Sequence, residues 1–356
     1  MIERITIIGG GSTGHAAAAW FSLKGLQVTL CDDERFAGRF AQIEEQGGIL
    51  LRGKERGVTP VHCVTTSLEQ AVLEAQLIIV CVVAYRHEEV AHAIAPYLKD
   101  GQHILISPGN LGSFIFRKAF RERGMTKDVT VSELEGNIFP ARLTGKAEAT
   151  VGMPFRKKKV ASLPGLDTER VVEALDGVYG LVPGTSVFDC ALNNNNFVIH
   201  LGATLLSASM IEEKRQAFNL FTDGLKQPAF AVAERVREER LALFEAAGIT
   251  ERSNPLIHMN KLIHPDENPQ LDVFRTLGGP DSMSHRYLTE DALCCGALAV
   301  SLGERLGVRM PVLKAIVILA GAVNGQDYLE TGRTLENLGF PAGMSYEEIK
   351  KAISQP

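Results

Sequence analysis

Residues 5–14 read Ile-Thr-Ile-Ile-Gly-Gly-Gly-Ser-Thr-Gly, an apolar run that passes straight into a glycine-rich turn. An alanine-rich stretch from His15 to Leu23 follows, Gly25 stops it, and a second apolar run, Val28-Thr29-Leu30-Cys31, ends at Asp32. A lone G-x-G-x-x-G means little. After a strand, before a helix and with an acid 18 residues past the last glycine, it is the context of a dinucleotide-binding turn. Gly9 permits the tight turn, Gly11 lets backbone amides approach a pyrophosphate, and Gly14 lets the helix pack close to the strand, with Ser12 and Thr13 between them. The helix N-terminus adds partial positive charge for the phosphates. Asp32 would accept hydrogen bonds from ribose hydroxyls and repel a 2′-phosphate, which favours NAD(H). Arg35, three residues on, would receive that phosphate and keeps NADP(H) open. His15 reads as incidental to this turn.

Outward from the turn the alternation of strand and helix continues. Leu77 to Val83 is apolar throughout, as expected of a parallel strand covered on both faces. Strand Ile104-Leu105-Ile106 runs into Ser107-Pro108-Gly109-Asn110-Leu111-Gly112, and Val129-Thr130-Val131 into Ser132-Glu133-Leu134-Glu135. Ligands of open parallel sheets bind at the carboxyl ends of the strands. Val83, Ala84 and Pro108 are therefore candidates to border the nicotinamide end, and Glu133 to meet the substrate; a solvated loop acid or helix cap is the plainer reading of Glu133. The basic run Arg156-Lys157-Lys158-Lys159 reads as a solvated strand edge, and a last strand and helix follow it before residue 176.

Composition sets the outer limits. At 356 residues the chain is long enough for two domains, and 45% apolar with 22% charged residues is ordinary for a soluble globular protein. A net charge of −5 argues against a nucleic-acid or anionic-membrane partner. The N-terminus enters a strand with no basic region and small-residue cleavage site ahead of it, so the sequence reads as cytoplasmic. The six cysteines show neither C-x-x-C pairs nor ligand-like spacing with histidine, which argues against disulfides and a metal site.

From about residue 190 the period becomes helical, in 196–212, 214–247, 291–307 and 311–324. The expected fold is α/β: a Rossmann-type parallel-sheet domain over residues 1–185, then an all-helical domain over 186–356. At the seam stand four asparagines, Asn193 to Asn196, with His200 four residues beyond the last. That spacing puts Asn196 and His200 on one helix face, about 5–6 Å apart between Cβ atoms. A neutral imidazole there exchanges protons near pH 7 and an amide beside it orients a substrate, on a face turned to the nucleotide-binding half; the alternative is a capped helix start and a satisfied core histidine. Residues 249–286 form a polar, irregular stretch carrying His258, His264 and His285. It ends in Ser284-His285-Arg286-Tyr287-Leu288-Thr289-Glu290-Asp291, where Thr289 or Asp291 would make an N-cap. Alternatively Asp291 holds His200 through one ring nitrogen, and Arg286 clamps a substrate carboxylate with its bidentate fork.

The chain resembles the octopine/nopaline (opine) dehydrogenase family across nearly its whole length. The carrying residues are the Gly9–Gly14 loop, Ser107-Pro108-Gly109, Leu192-Asn193-Asn194-Asn195-Asn196 with His200, Ile211-Glu212, Arg286-Tyr287-Leu288-Thr289-Glu290-Asp291, Leu306-Gly307-Val308-Arg309-Met310-Pro311, and Arg333-Thr334-Leu335-Glu336-Asn337-Leu338-Gly339. The resemblance implies reductive joining of an amino acid to a 2-keto acid with a nicotinamide coenzyme, on a Rossmann domain paired with a helical one. It further implies His200 as catalytic histidine, Asp291 as its partner and Arg286 as carboxylate-binding arginine. Leu201 stands where the family usually has proline, and Ser12-Thr13 where it often has asparagine and glycine.

The partners so implied are small molecules, with neither nucleic acid nor membrane involved and a homodimer left open. A 2-keto acid or ketopantoate-type reductase is the second enzymatic reading; it places a lysine near His200, and no lysine occurs between Lys159 and Lys214. A non-catalytic NAD(P)-sensing protein is the third.

Overall fold

The structure, a computed structural model, describes residues 2–53, 56–152, 157–264, 266–276 and 279–355. Arg156 of the basic run lies outside the described residues. The chain divides into two compact units, Met1–Cys190 with Ile353–Pro356, and Ala191–Ala352.

The strands of the first unit are β1 (Arg4–Ile8), β2 (Gln27–Cys31), β3 (Ile49–Arg52), β4 (Gly57–Thr59), β5 (Cys63–Thr65), β6 (Leu77–Val80), β7 (His103–Ile106), β8 (Thr130–Leu134), β9 (Ala141–Gly145), β10 (Glu148–Val151), β11 (Lys158–Ser162) and β12 (Leu181–Pro183). Its helices are α1 (Ser12–Leu23), α2 (Ala37–Gln46), α3 (Leu68–Leu73), α4 (His87–Ile94), α5 (Gly112–Glu122), α6 (Thr168–Ala174) and α7 (Val187–Leu192). Eight strands form one sheet in the order β12-β11-β8-β7-β6-β1-β2-β5. Pairing is parallel except between β8 and β11. From β1 the chain winds to β2 on one side and later returns to β6 on the other. The C-terminal end of β1, where the glycine turn begins, is thus the point at which the winding reverses. Every residue of β6 is buried, which is why its sequence is apolar without alternation.

The expected parallel-sheet domain is present, with an addition the sequence reading lacked. A second sheet, ordered β4-β3-β10-β9, packs on α1. Its strands are three to five residues long, too short for a clear two-residue period. A second correction concerns Glu133. The strand expected over 129–131 runs on to Leu134, so Glu133 is a fully buried strand residue and not a solvated loop acid.

The second half of the chain is helical: α8 (Asn196–Leu206), α9 (Ala208–Lys214), α10 (Gln227–Ala247), α11 (Pro255–Ile263), α12 (Val273–Thr276), α13 (Arg286–Asp291), α14 (Ala297–Leu306), α15 (Pro311–Asn324), α16 (Tyr328–Thr331) and α17 (Tyr346–Ser354). Phe197 to Thr204 are all buried, so α8 is a core helix apolar nearly all round. Gly202 brings it against α10: a Cβ there would lie 2.6 Å from Val232 Cγ1. Three of the expected long helices are interrupted, the one over 196–212 at Ser207 between α8 and α9. Residues 214–226 are not part of α10, because the Asn219 side chain accepts the Phe221 and Thr222 N–H groups and opens a π-helical turn over Leu220–Gly224. The helix expected at 291 begins at Arg286 and crosses a second π-helical turn, Ala292–Gly296, before α14. Among the described residues no helix is long and apolar enough to cross a membrane.

The asparagine run is mainly a structural seam. Asn193 donates to Thr250 O at 3.2 Å and accepts the Arg252 N–H at 2.8 Å, while Asn195 donates to Ser253 Oγ at 2.7 Å. Asn194 Oδ1 accepts the N–H of Asn196. Behind them Arg240, wholly buried on α10, donates to Asn195 Oδ1 at 2.9 Å and to Glu251 Oε1 at 2.7 Å. Its neighbour Glu239 accepts the Val312 and Leu313 N–H groups and so caps α15 from another helix. These buried charges fix where α8 starts. Replacing Arg240 by methionine strips Asn195 of a buried donor and leaves Glu251 paired with Arg237, at 3.0 and 2.7 Å. We expect urea unfolding to show a loss of about 1–3 kcal/mol; an unchanged stability would contradict this.

Candidate active site

In the first unit the glycine turn has the shape a nucleotide requires. Gly9 sits at φ +108°, and a Cβ there would lie 2.7 Å from the Cys81 carbonyl oxygen. A Cβ on Gly14 would lie 1.8 Å from Gly9 O, so α1 reaches β1 only because that position is glycine. Gly11, the N-cap of α1, faces open space. The loop is therefore tight on its protein side and open where backbone N–H groups at the helix start meet an anion. Ser12 accepts the Leu143 N–H through Oγ, and Thr13 is the second residue of the helix. Asp32, just past β2, accepts the Gly10 N–H at 2.7 Å and the Asp33 N–H at 2.8 Å, which fixes its carboxylate beside the turn.

Arg35 is paired with Asp33 through two hydrogen bonds of 2.9 and 3.0 Å. That pairing holds the Asp33 carboxyl down at about 2. Val83 and buried Ala84 begin the turn after β6, and Pro108 follows β7 through a cis peptide bond. The residues present fit a nicotinamide dinucleotide at this turn. Glu133 also belongs to this unit, and its Oε2 accepts the Ser113 N–H at 3.2 Å.

In the second unit the structure joins two residues 91 apart in sequence. His200 Nδ1 lies 2.8 Å from Asp291 Oδ2, and both side chains are buried. They come from α8 and α13, which pack together. Burial pushes the Asp291 carboxyl up to about 7, against a smaller opposing pull from the Arg286 guanidinium. The raised carboxyl and the imidazole thus stand at hydrogen-bond distance with no solvent between them.

The local sequence explains why α13 can do this. His285 Nδ1 accepts the Tyr287 N–H and is the N-cap, so neither Thr289 nor Asp291 serves as one. The six residues of α13 then form two pairs at a spacing of four. Arg286 with Glu290 is one, their charged atoms 3.7 Å apart; Tyr287 with Asp291 is the other. The second pair grips His200: Asp291 meets its edge and Tyr287 lies flat on its ring, centroids 3.9 Å apart at 17°. The sequence reading assigned Tyr287 no role, although its spacing from Asp291 was visible there. Asn196 opens α8 one turn before His200, half-buried, and Arg286 is a third exposed.

All six cysteines are free. Among the described residues Glu88, His92 and Glu122 bring ligand-type atoms within 4.8 Å of one another. The Lys118 ammonium, 3.8 Å from both carboxylates, already supplies the positive charge there.

Residues 183–324 match the family model described as NAD/NADP octopine/nopaline dehydrogenase, alpha-helical domain, and residues 5–108 match that of ketopantoate reductase PanE/ApbA. An opine dehydrogenase from Arthrobacter sp. (strain 1C) is 30% identical over 99% of this chain and 100% of the relative. Among solved structures, octopine dehydrogenase with NADH and L-arginine is similar in fold at a TM-score of 0.71 and 16% identity, covering 99% of this chain and 98% of that one. Yersinopine dehydrogenase with NADP+ bound is similar at a TM-score of 0.63 and 15% identity, covering 99% and 98%. The chain belongs to the opine dehydrogenase family: it is an NAD(P)-dependent oxidoreductase acting on CH–NH bonds, which condenses an amino acid reductively with a 2-keto acid.

Proposed function

We propose that His200 and Asp291 carry the proton transfers of this condensation, that Arg286 holds the keto-acid carboxylate, and that NADH is the preferred coenzyme. The observation that supports this reading most is the buried 2.8 Å contact between imidazole and carboxyl. Arg286 offers the substrate carboxylate two parallel N–H donors, with Glu290 limiting the swing of its guanidinium. Asn196, a helical turn before His200, is proposed to orient the substrate as well, and Glu133 to meet it from the first unit. The amine attacks the keto carbon in its unprotonated form and gives a carbinolamine. Protonated His200 gives its Nε2 proton to the carbinolamine hydroxyl, which leaves as water while the nitrogen lone pair forms the C=N bond. Asp291 balances the charge the imidazole carries before that transfer. The coenzyme, when bound at the glycine turn, supplies the hydride that reduces the imine carbon.

For the coenzyme, Gly9, Gly11, Ser12, Thr13 and Gly14 form the pyrophosphate turn, and Val83, Ala84 and Pro108 border the nicotinamide. Asp32 supports NADH because a fixed carboxylate accepts from ribose hydroxyls and repels a 2′-phosphate. Arg35 supports the same preference, since Asp33 already neutralises its guanidinium.

Replacing His200 by asparagine should lower kcat about 10²–10⁴-fold in the condensation direction while leaving the Kd for NADH unchanged; an unaltered kcat would refute the role. The pH dependence follows from the Asp291 carboxyl at about 7. Below that pH the carboxyl takes up a proton and no longer supports a protonated imidazole, so kcat should fall on the acid side of neutrality. Asp291→Asn should remove this break along with most of the rate; a profile whose break survives the substitution assigns it elsewhere. For the coenzyme, Asp32→Asn should raise the NADPH-to-NADH ratio of kcat/KM by about 10-fold, one charge repulsion of roughly 1.4 kcal/mol. A ratio that stays constant would show that Asp32 does not set the preference.

A further inference from the structure

The His200 ring turns only about its two side-chain torsions, and the hydrogen bond at Nδ1 bears on its edge. What bears on its face is Tyr287, whose ring lies against that of His200 with centroids 3.9 Å apart and planes 17° from parallel. Tyr287 is itself held. The His285 ring meets its face edge-on at 4.6 Å and 85°, while His285 Nδ1 accepts the Tyr287 backbone N–H. Phe221, on the first π-helical turn, stands edge-on to both the His200 and Tyr287 rings at 6.5 and 6.4 Å. All four rings belong to the second unit.

We propose that Tyr287 is a positioning residue for His200: its ring sets the imidazole plane so that Nδ1 stays on Asp291 and Nε2 keeps one direction. The inference rests on the proton-transfer role assigned above to His200. It is the aromatic face that acts, since stacking is a property of the ring and the ring covers one side of the imidazole from water. The spacing makes the arrangement economical: Tyr287 and Asp291, four apart on α13, present both constraints from one helix face. A proton donor displaced by about 1 Å costs on the order of 10²-fold in rate, which sets the size of the expected effect.

The experiment compares Tyr287→Phe with Tyr287→Leu, each alone and combined with His200→Asn, measuring kcat, KM for each substrate, Kd for NADH and thermal unfolding. Tyr287→Phe, which keeps the face and drops the hydroxyl, should retain kcat within about twofold. Tyr287→Leu should lower kcat about 10–100-fold with KM and the NADH Kd little changed. In the His200→Asn background Tyr287→Leu should cost nothing more, a non-additivity that a merely structural role would not give. If Tyr287→Leu does not fold, Tyr287→Met, which fills the gap flexibly, carries the same expectations. The proposal is overturned if the leucine or methionine variant keeps full kcat, if phenylalanine falls as far as leucine, or if the losses add in the double variant. Should His200→Asn itself leave turnover intact, the proton-transfer reading fails first, so the two failures are distinguishable.

Discussion

A carboxyl group sealed from water is costly to ionise, and the helical half of this protein keeps one beside an imidazole. Asp291 lies buried at the end of α13, pushed up to about 7 by loss of water, with His200 Nδ1 2.8 Å away. The arrangement persists because the surrounding helices leave neither group another course. α8 is buried nearly all round, so His200 cannot turn to solvent. α13 is capped at His285, which fixes the phase at which Tyr287 and Asp291 face α8. Such a pair is weak evidence for stability, since buried ionisable pairs rarely improve on apolar packing. The value we propose for it is chemical: proton transfer to the substrate through the imidazole.

The rest of the second unit serves to place these two helices. Arg240 and Glu239, adjacent on α10, turn buried charge into scaffolding: one ties the asparagine seam and the 251 loop together, the other caps α15. Two π-helical turns, at Leu220–Gly224 and Ala292–Gly296, interrupt the helical runs beside the site. Phe221 on the first turn and Asp291 just before the second both stand against His200. Leu201 is wholly buried and packs near Gly296 of the second of these turns.

How much of this was legible in the chain depends on the range over which each signal acts. The nucleotide turn is local, and strand, glycines, helix and acid lie within about thirty residues, so the fold of the first unit followed from them. The change of period near residue 190 is equally local. The second sheet escaped because its strands of three to five residues leave no periodic trace. The seam made by Asn193 and Asn195 was not legible, because their partners Thr250, Arg252 and Ser253 lie more than fifty residues away. The contact of His200 with Asp291 spans 91 residues and was named only because residue types and the family resemblance suggested it. Tyr287 was overlooked although it stands four residues before Asp291 in the same short helix. A spacing of four marks a shared face but not what that face touches.

The most direct test of the account is a coenzyme-oxidation assay in which 2-keto acids and amino acids are supplied singly and then in every pairing. The account predicts NADH consumption that requires both partners together and yields a secondary amine carrying two carboxylates. Consumption driven equally well by a keto acid alone would contradict it, as would coenzyme binding with no turnover for any pair.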